Sequence, residues 1–104
     1  MSNDIKKLEM GYTISEFSNT LQGQFIQNTS FSLKQINTTE WIVSIANISK
    51  TSSVKIKIAQ AEPRKIAMLT LPVLDTRFAF ENTSQIQQSD FMKIFFRYFH
   101  KGGG

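Results

Sequence analysis

Residues 89–101 read Ser89-Asp-Phe-Met-Lys-Ile-Phe-Phe-Arg-Tyr-Phe-His-Lys101. Wound as a helix at about 100° per residue, Phe91, Met92, Ile94, Phe95, Phe96, Tyr98 and Phe99 fill one arc of roughly 200°. Lys93, Arg97, His100 and Lys101 fall together in the remaining arc. So much aromatic surface on one helix needs an apolar partner, and residues 30–81 supply it as an antiparallel sheet.

The clearest strand in that region is Val54-Lys-Ile-Lys-Ile58. Its period of two sends Val54, Ile56 and Ile58 inward and Lys55 and Lys57 to water. Upstream, Phe31 and Leu33 alternate with Ser32 and Lys34, and Asn37-Thr-Thr-Glu40 supplies hairpin turn chemistry. Trp41, Val43 and Ile45 then share one face of a second strand, with Ile42, Ser44 and Ala46 on the other. Residues 49–53 read as a polar loop, and Glu62-Pro-Arg-Lys65 as a break.

Ile66 to Leu71 reads as a fourth strand, with Ile66 and Met68 on one face and Ala67, Leu69 and Leu71 on the other. Pro72 ends it, because proline has no N–H for a ladder. Asp75-Thr-Arg77 is expected to turn the chain with a local ion pair. Phe78 and Phe80 mark a short fifth strand, and the terminal helix starts near Ser84 or Ser89 with Asp90 in its first turn.

Toward the N-terminus, Thr13-Ile-Ser-Glu16 matches a capping box. Ile14, Phe17 and Leu21 follow at helical spacing, with a stop expected near Gly23 and Phe25 extending the stripe if the helix runs on. Residues 1–12 read as a loosely ordered arm or a short strand. The expectation is therefore an α+β domain over residues 13–101, closed by a flexible Gly tail at 102–104. A four- to five-stranded antiparallel meander carries an N-terminal and a C-terminal helix on one face.

Composition narrows the function classes. The chain has 104 residues, 40% of them hydrophobic, enough for one modest core. It has no Cys and one His, which rules out disulfides and thiolate metal sites and leaves no ligand set for a structural zinc. No export signal opens the chain and no apolar run approaches about 18 residues, so the expectation is a cytoplasmic protein with no membrane span. Asn-x-Ser/Thr triplets at Asn28, Asn37, Asn47 and Asn82 then mean turn chemistry, not glycosylation.

There is no Gly-x-Ser-x-Gly elbow, P-loop or dinucleotide fingerprint, and the eight carboxylates show no paired spacing. His100 sits at a helix end, where a solvated role is the ordinary one. No enzyme activity and no cofactor are expected. The apolar positions Ala67, Leu69 and Leu71 have no cover on a one-sided sheet, and they suggest a protein-interaction module that self-associates as a homodimer. The other reading is nucleic-acid binding through Lys55, Lys57, Lys93, Arg97 and Lys101. It agrees with a net charge of +4, although cations near a helix C-terminus also simply oppose its dipole.

Overall fold

The computed structural model describes residues 2–45 and 52–100. Of the loop expected at 49–53, residues 49–51 lie outside the described residues, as do Lys101 and the Gly tail at 102–104, while Ser52 and Ser53 are already strand, paired with Ile45 and Ser44. The fold is α+β, with helices packed on one face of a five-stranded antiparallel sheet.

Strand β1, Ser2–Met10, comes first and takes an outer place in the sheet. Helix α1, Ile14–Thr20, follows. Its capping box is present: Glu16 N–H donates to Thr13 Oγ1 at 3.1 Å, and Thr13 N–H donates to Glu16 Oε1 at 2.9 Å. The helical path does not stop at Gly23. It widens into a π turn over Leu21–Phe25 and tightens into a 3-10 turn over Ile26–Asn28. A wider i→i+5 turn keeps Leu21 and Phe25 nearly one above the other, so Phe17, Leu21 and Phe25 are all buried.

β2, Ser32–Asn37, and β3, Glu40–Ile45, form a hairpin. The Asn37 Oδ1 accepts from Thr39 N–H at 2.9 Å, the side-chain turn that the Asn-Thr-Thr sequence promised. β4, Ser52–Gln60, buries Val54, Ile56 and Ile58 and exposes Lys55 and Lys57.

The next stretch departs from the sequence reading. Ile66–Leu71 is not one strand. Arg64–Ile66 (β5) and Leu69–Leu71 (β6) pair with each other as a separate two-stranded ribbon, turned through Ala67 and Met68. Ala67 has φ 54°, and Met68 does not share the positive sign, the pattern of a type II′ hairpin turn. That turn favours Gly at its first central position, and the sequence offers Ala, so the break carried no signal.

Asp75-Thr-Arg77 is not a turn either. It lies inside β7, Leu74–Thr83, where Leu74, Thr76, Phe78 and Phe80 are buried in strict alternation. β-branched Thr76 fits a pleated surface and continues the period set by the phenylalanines. Pro72, just ahead of β7, is the true punctuation.

The spatial order is β1-β7-β4-β3-β2, all antiparallel. Strands β2, β3, β4 and β7 form the meander, with the β5–β6 ribbon as an excursion between β4 and β7. β1 closes the sheet against the last strand, not against its sequence neighbour.

Helix α2, Gln85–Tyr98, starts at Ser84. Gln87 N–H donates to Ser84 Oγ at 3.1 Å and Ser84 N–H donates to Gln87 Oε1 at 2.8 Å, a second capping box. Asp90 is therefore mid-helix, and the first turn holds no acid. Phe91, Phe95 and Phe99, spaced by four, face the core. The Phe95 ring stacks on Phe99 at 4.1 Å and meets Phe78 of the sheet edge-on at 4.9 Å. Phe17 of α1 lies 4.8 Å from Phe99 and 5.7 Å from Trp41 of β3. One aromatic cluster thus joins both helices to the sheet.

Candidate functional site

With the helices on one side, no helix among the described residues covers the outer face of the sheet. Its residues follow from register. Lys7 of β1 stands opposite Arg77 of β7, and Arg77 opposite Lys57 of β4. These three cations form one row across three strands about 4.8 Å apart. Lys55 and Lys34 occupy the next row, at either side of Ile42. Like charges directly opposite one another destabilise a sheet, so the row is a standing electrostatic cost to the fold.

Carboxylates border this band without neutralising it. Glu40 faces Lys57 in the register but makes its ion pair with Lys55, at 4.0 Å. A hydrogen bond from Asn37 Nδ2, at 2.7 Å, holds the Glu40 carboxyl below its ordinary range. Partial burial opposes that shift, and the charges of Lys57 and Lys55 assist it. Glu9 is engaged by Arg64 at 3.1 Å. Asp75 and Arg77 are both exposed and make no ion pair with each other among the described residues, so the expected local bridge is absent. A shallow depression of about 540 Å³ lies over Lys7, Lys57, Asp75 and Arg77.

The ribbon is the second feature. Its register puts Ile66 opposite Leu69 and Arg64 opposite Leu71, all on one face. Lys65 and Thr70 pair on the other face. Ile66 is 52% exposed, Leu69 62%, Leu71 40%, and Met68 at the tip 97%. The ribbon's apolar face therefore consists of Ile66, Leu69 and Leu71, with Met68 ahead of them. Ala67 sits in the turn and belongs to neither face. Arg64, at the end of this face, forms an ion pair with the exposed Glu9 of β1 at 3.1 Å.

The five cations read from the sequence are not one surface. Lys55 and Lys57 project from the outer face of the sheet. Lys93 and Arg97 are exposed on α2, which covers the opposite face. Lys101 lies outside the described residues. Lys7, which completes the cation row with Arg77 and Lys57, carries no signal in the sequence. The sequence leaves residues 1–12 as a loose arm or a short strand and makes Asp75-Thr-Arg77 a turn, where two paired strands stand.

Among the described residues no three His, Asp or Glu side chains cluster as a metal site. No helix is long and apolar enough to cross a membrane. The chain matches no protein-family model and no curated protein.

Proposed function

We propose that this protein is a non-enzymatic interaction module that self-associates through the β5–β6 ribbon. The observation that carries this reading is the gathering of Ile66, Met68, Leu69 and Leu71 on one face and tip of a ribbon outside the core. Together they expose on the order of 400 Å², the size at which an apolar patch on a small protein becomes a candidate contact surface. An isolated two-stranded ribbon is marginal in water, so packing against a partner would also hold it in shape.

A second copy suits this face. The charge nearest it, Arg64, is already neutralised by Glu9, and Lys65 points away. Two such faces can therefore meet without bringing bare cations together. They would bury roughly 800 Å² in total, small beside ordinary stable interfaces, so association should be reversible. Native mass spectrometry and sedimentation velocity over a concentration series test this. The expected result is a doubling of the 11.9 kDa mass as concentration rises. Leu69→Asp should return the chain to single mass with its circular dichroism unchanged. A wild-type chain that stays at single mass at hundreds of micromolar overturns the reading.

The cation row favours a second reading, a phosphate backbone laid across Lys7, Arg77 and Lys57. Among the described residues the outer face presents no aromatic ring for base stacking, so such binding would be electrostatic and indifferent to sequence. Affinity for a labelled duplex should then fall steeply with salt, and Lys57→Gln should reduce the slope by about one. Affinity independent of salt would rule this reading out.

A further inference from the structure

We propose that the cleft between β1 and α2 is a docking groove for an extended peptide of alternating apolar and acidic residues, bound as a sixth strand on the edge of β1. This site is independent of the ribbon and shares none of its residues.

Three observations converge on the cleft. First, β1 is an outer strand. It pairs with β7 on one side, and among the described strands nothing pairs with its other side. Its outward N–H and C=O groups form a template for one more strand. Second, α2 runs alongside without covering it. Gln85, Gln88, Ser89, Met92, Lys93 and Phe96 line the helix side of a cleft of about 450 Å³. Their spacing of three, one, three, one and three is a single helical stripe, distinct from the core stripe of Phe91, Phe95 and Phe99. Phe80 and Met92 give the cleft an apolar base, and Phe96, 42% exposed, forms its apolar wall. Phe96 meets the core ring of its neighbour Phe95 edge-on at 5.7 Å, and its exposed side is open to an apolar side chain entering the cleft.

Third, cations outnumber carboxylates in the cleft lining, two to one. Lys6 and Lys93 flank the cleft, and the one carboxylate beside them, Asp4, already accepts from Gln88 at 2.9 Å and Gln85 at 3.4 Å. Lys7 ends the cation row at this same edge, on the outer face. A strand added to β1 would turn alternate residues into the cleft and the others beside Ile5, Lys7 and Glu9, of which Glu9 is already paired with Arg64 and Lys7 stands next to Arg77. Apolar residues fit the first set. Acidic residues fit the second, where they offset the like-charge row instead of extending it. Lysines on an edge strand also discourage pairing with uncharged strands, so Lys6 and Lys7 would act as a filter that admits an acidic strand and rejects neutral ones.

The test uses the whole chain and two fluorescein-labelled heptapeptides, Glu-Leu-Glu-Val-Glu-Leu-Glu and its lysine counterpart Lys-Leu-Lys-Val-Lys-Leu-Lys. The acidic probe should bind saturably and at least tenfold more tightly than the basic one. Amide shifts in nuclear magnetic resonance spectra should map to residues 3–9 and 88–96. Phe96→Ala should weaken binding at least fivefold. Lys7→Glu, which places a carboxylate beside Arg77 and so does not threaten the fold, should reverse the preference between the probes. Leu69→Asp should leave binding unchanged, which separates this site from the ribbon. Absence of saturable binding by the acidic probe overturns the proposal. So do amide shifts confined to residues 64–71, or equal affinity of Phe96→Ala and wild type.

Discussion

Phe95 and Phe96 are adjacent in sequence and both fall in the apolar arc of the terminal helix, yet the structure gives them opposite energetic weight. Phe95 has no exposed surface. Its ring lies 4.1 Å from Phe99, 4.9 Å from Phe78, 6.0 Å from Phe25, 6.1 Å from Phe91 and 6.2 Å from Phe17. These neighbours belong to the sheet, to α1, to the helical segment after it and to α2 itself, so no single shift can close the space a lost ring would leave. Truncating a buried phenylalanine costs about 3–5 kcal/mol, and a site that cannot collapse falls at the upper end. Phe95→Ala should therefore lose about 4–5 kcal/mol, a large share of the roughly 5–15 kcal/mol that holds a small domain. At about 4–8 °C per kcal/mol, the midpoint should drop by roughly 15–40 °C. Phe96→Ala, at the rim of the cleft, should lose no more than about 1 kcal/mol. Urea unfolding followed by circular dichroism, with calorimetry for the midpoint, measures both. If Phe95→Ala costs under about 2 kcal/mol, or the two variants cost the same, the packing described for α2 is wrong.

Smaller perturbations examine the local devices. Ser84→Ala removes one half of the capping box of α2 and should cost about 1 kcal/mol in urea unfolding. Ala67→Gly relieves a left-handed residue at the ribbon turn. Gly also enlarges the unfolded ensemble, so global stability should move by only a few tenths of a kcal/mol while amide exchange slows over residues 64–71. Asn37→Ala removes the hydrogen bond that chiefly lowers the Glu40 pKa. Because the folded-state value is depressed, Glu40 contributes stability above its ordinary carboxylate range, and that contribution disappears as pH falls through the lowered value. The variant should titrate Glu40 closer to its ordinary range in carboxyl carbon spectra, and an unchanged titration would show that Asn37 is not the cause.

The cleft shows how a charged edge can carry information. Edge strands are usually protected by lysine because uncharged strands then gain nothing by pairing. The same lysines give a partner of opposite charge an advantage on top of the backbone ladder. On β1 the lysines stand beside an apolar cleft, so the edge would discriminate by pattern as well as by charge.

Local chemistry made much of this architecture legible in the sequence. The capping box at Thr13, the Asn37 turn, the alternation through Val54–Ile58 and the aromatic face of the terminal helix are each decided by residues within a few positions of one another. Short-range sterics and hydrogen bonding are enough to specify them. The β5–β6 hairpin was not legible, because its turn residue is Ala67, held at positive φ without the glycine that announces such turns. Its alternating apolar residues therefore passed for one strand. β7 was shortened for a related reason, since Asp75 and Arg77 looked like turn residues until the pairing partners on both sides were known.

The candidate surfaces lay further out of reach. That Lys7 stands beside Arg77, and Arg77 beside Lys57, depends on pairing between strands roughly 70 and 20 residues apart along the chain. Periodicity assigns each of them a face but cannot say which strand lies next to which. The same holds for the cleft, which exists because β1 takes the edge next to β7 and α2 leaves it uncovered. Sequence alone determined which side chains turn inward along residues 54–58 and along the Phe91, Phe95 and Phe99 stripe. Only the tertiary structure decided which outward side chains meet, because strand order is settled by burying the whole aromatic cluster at once and not by any local preference.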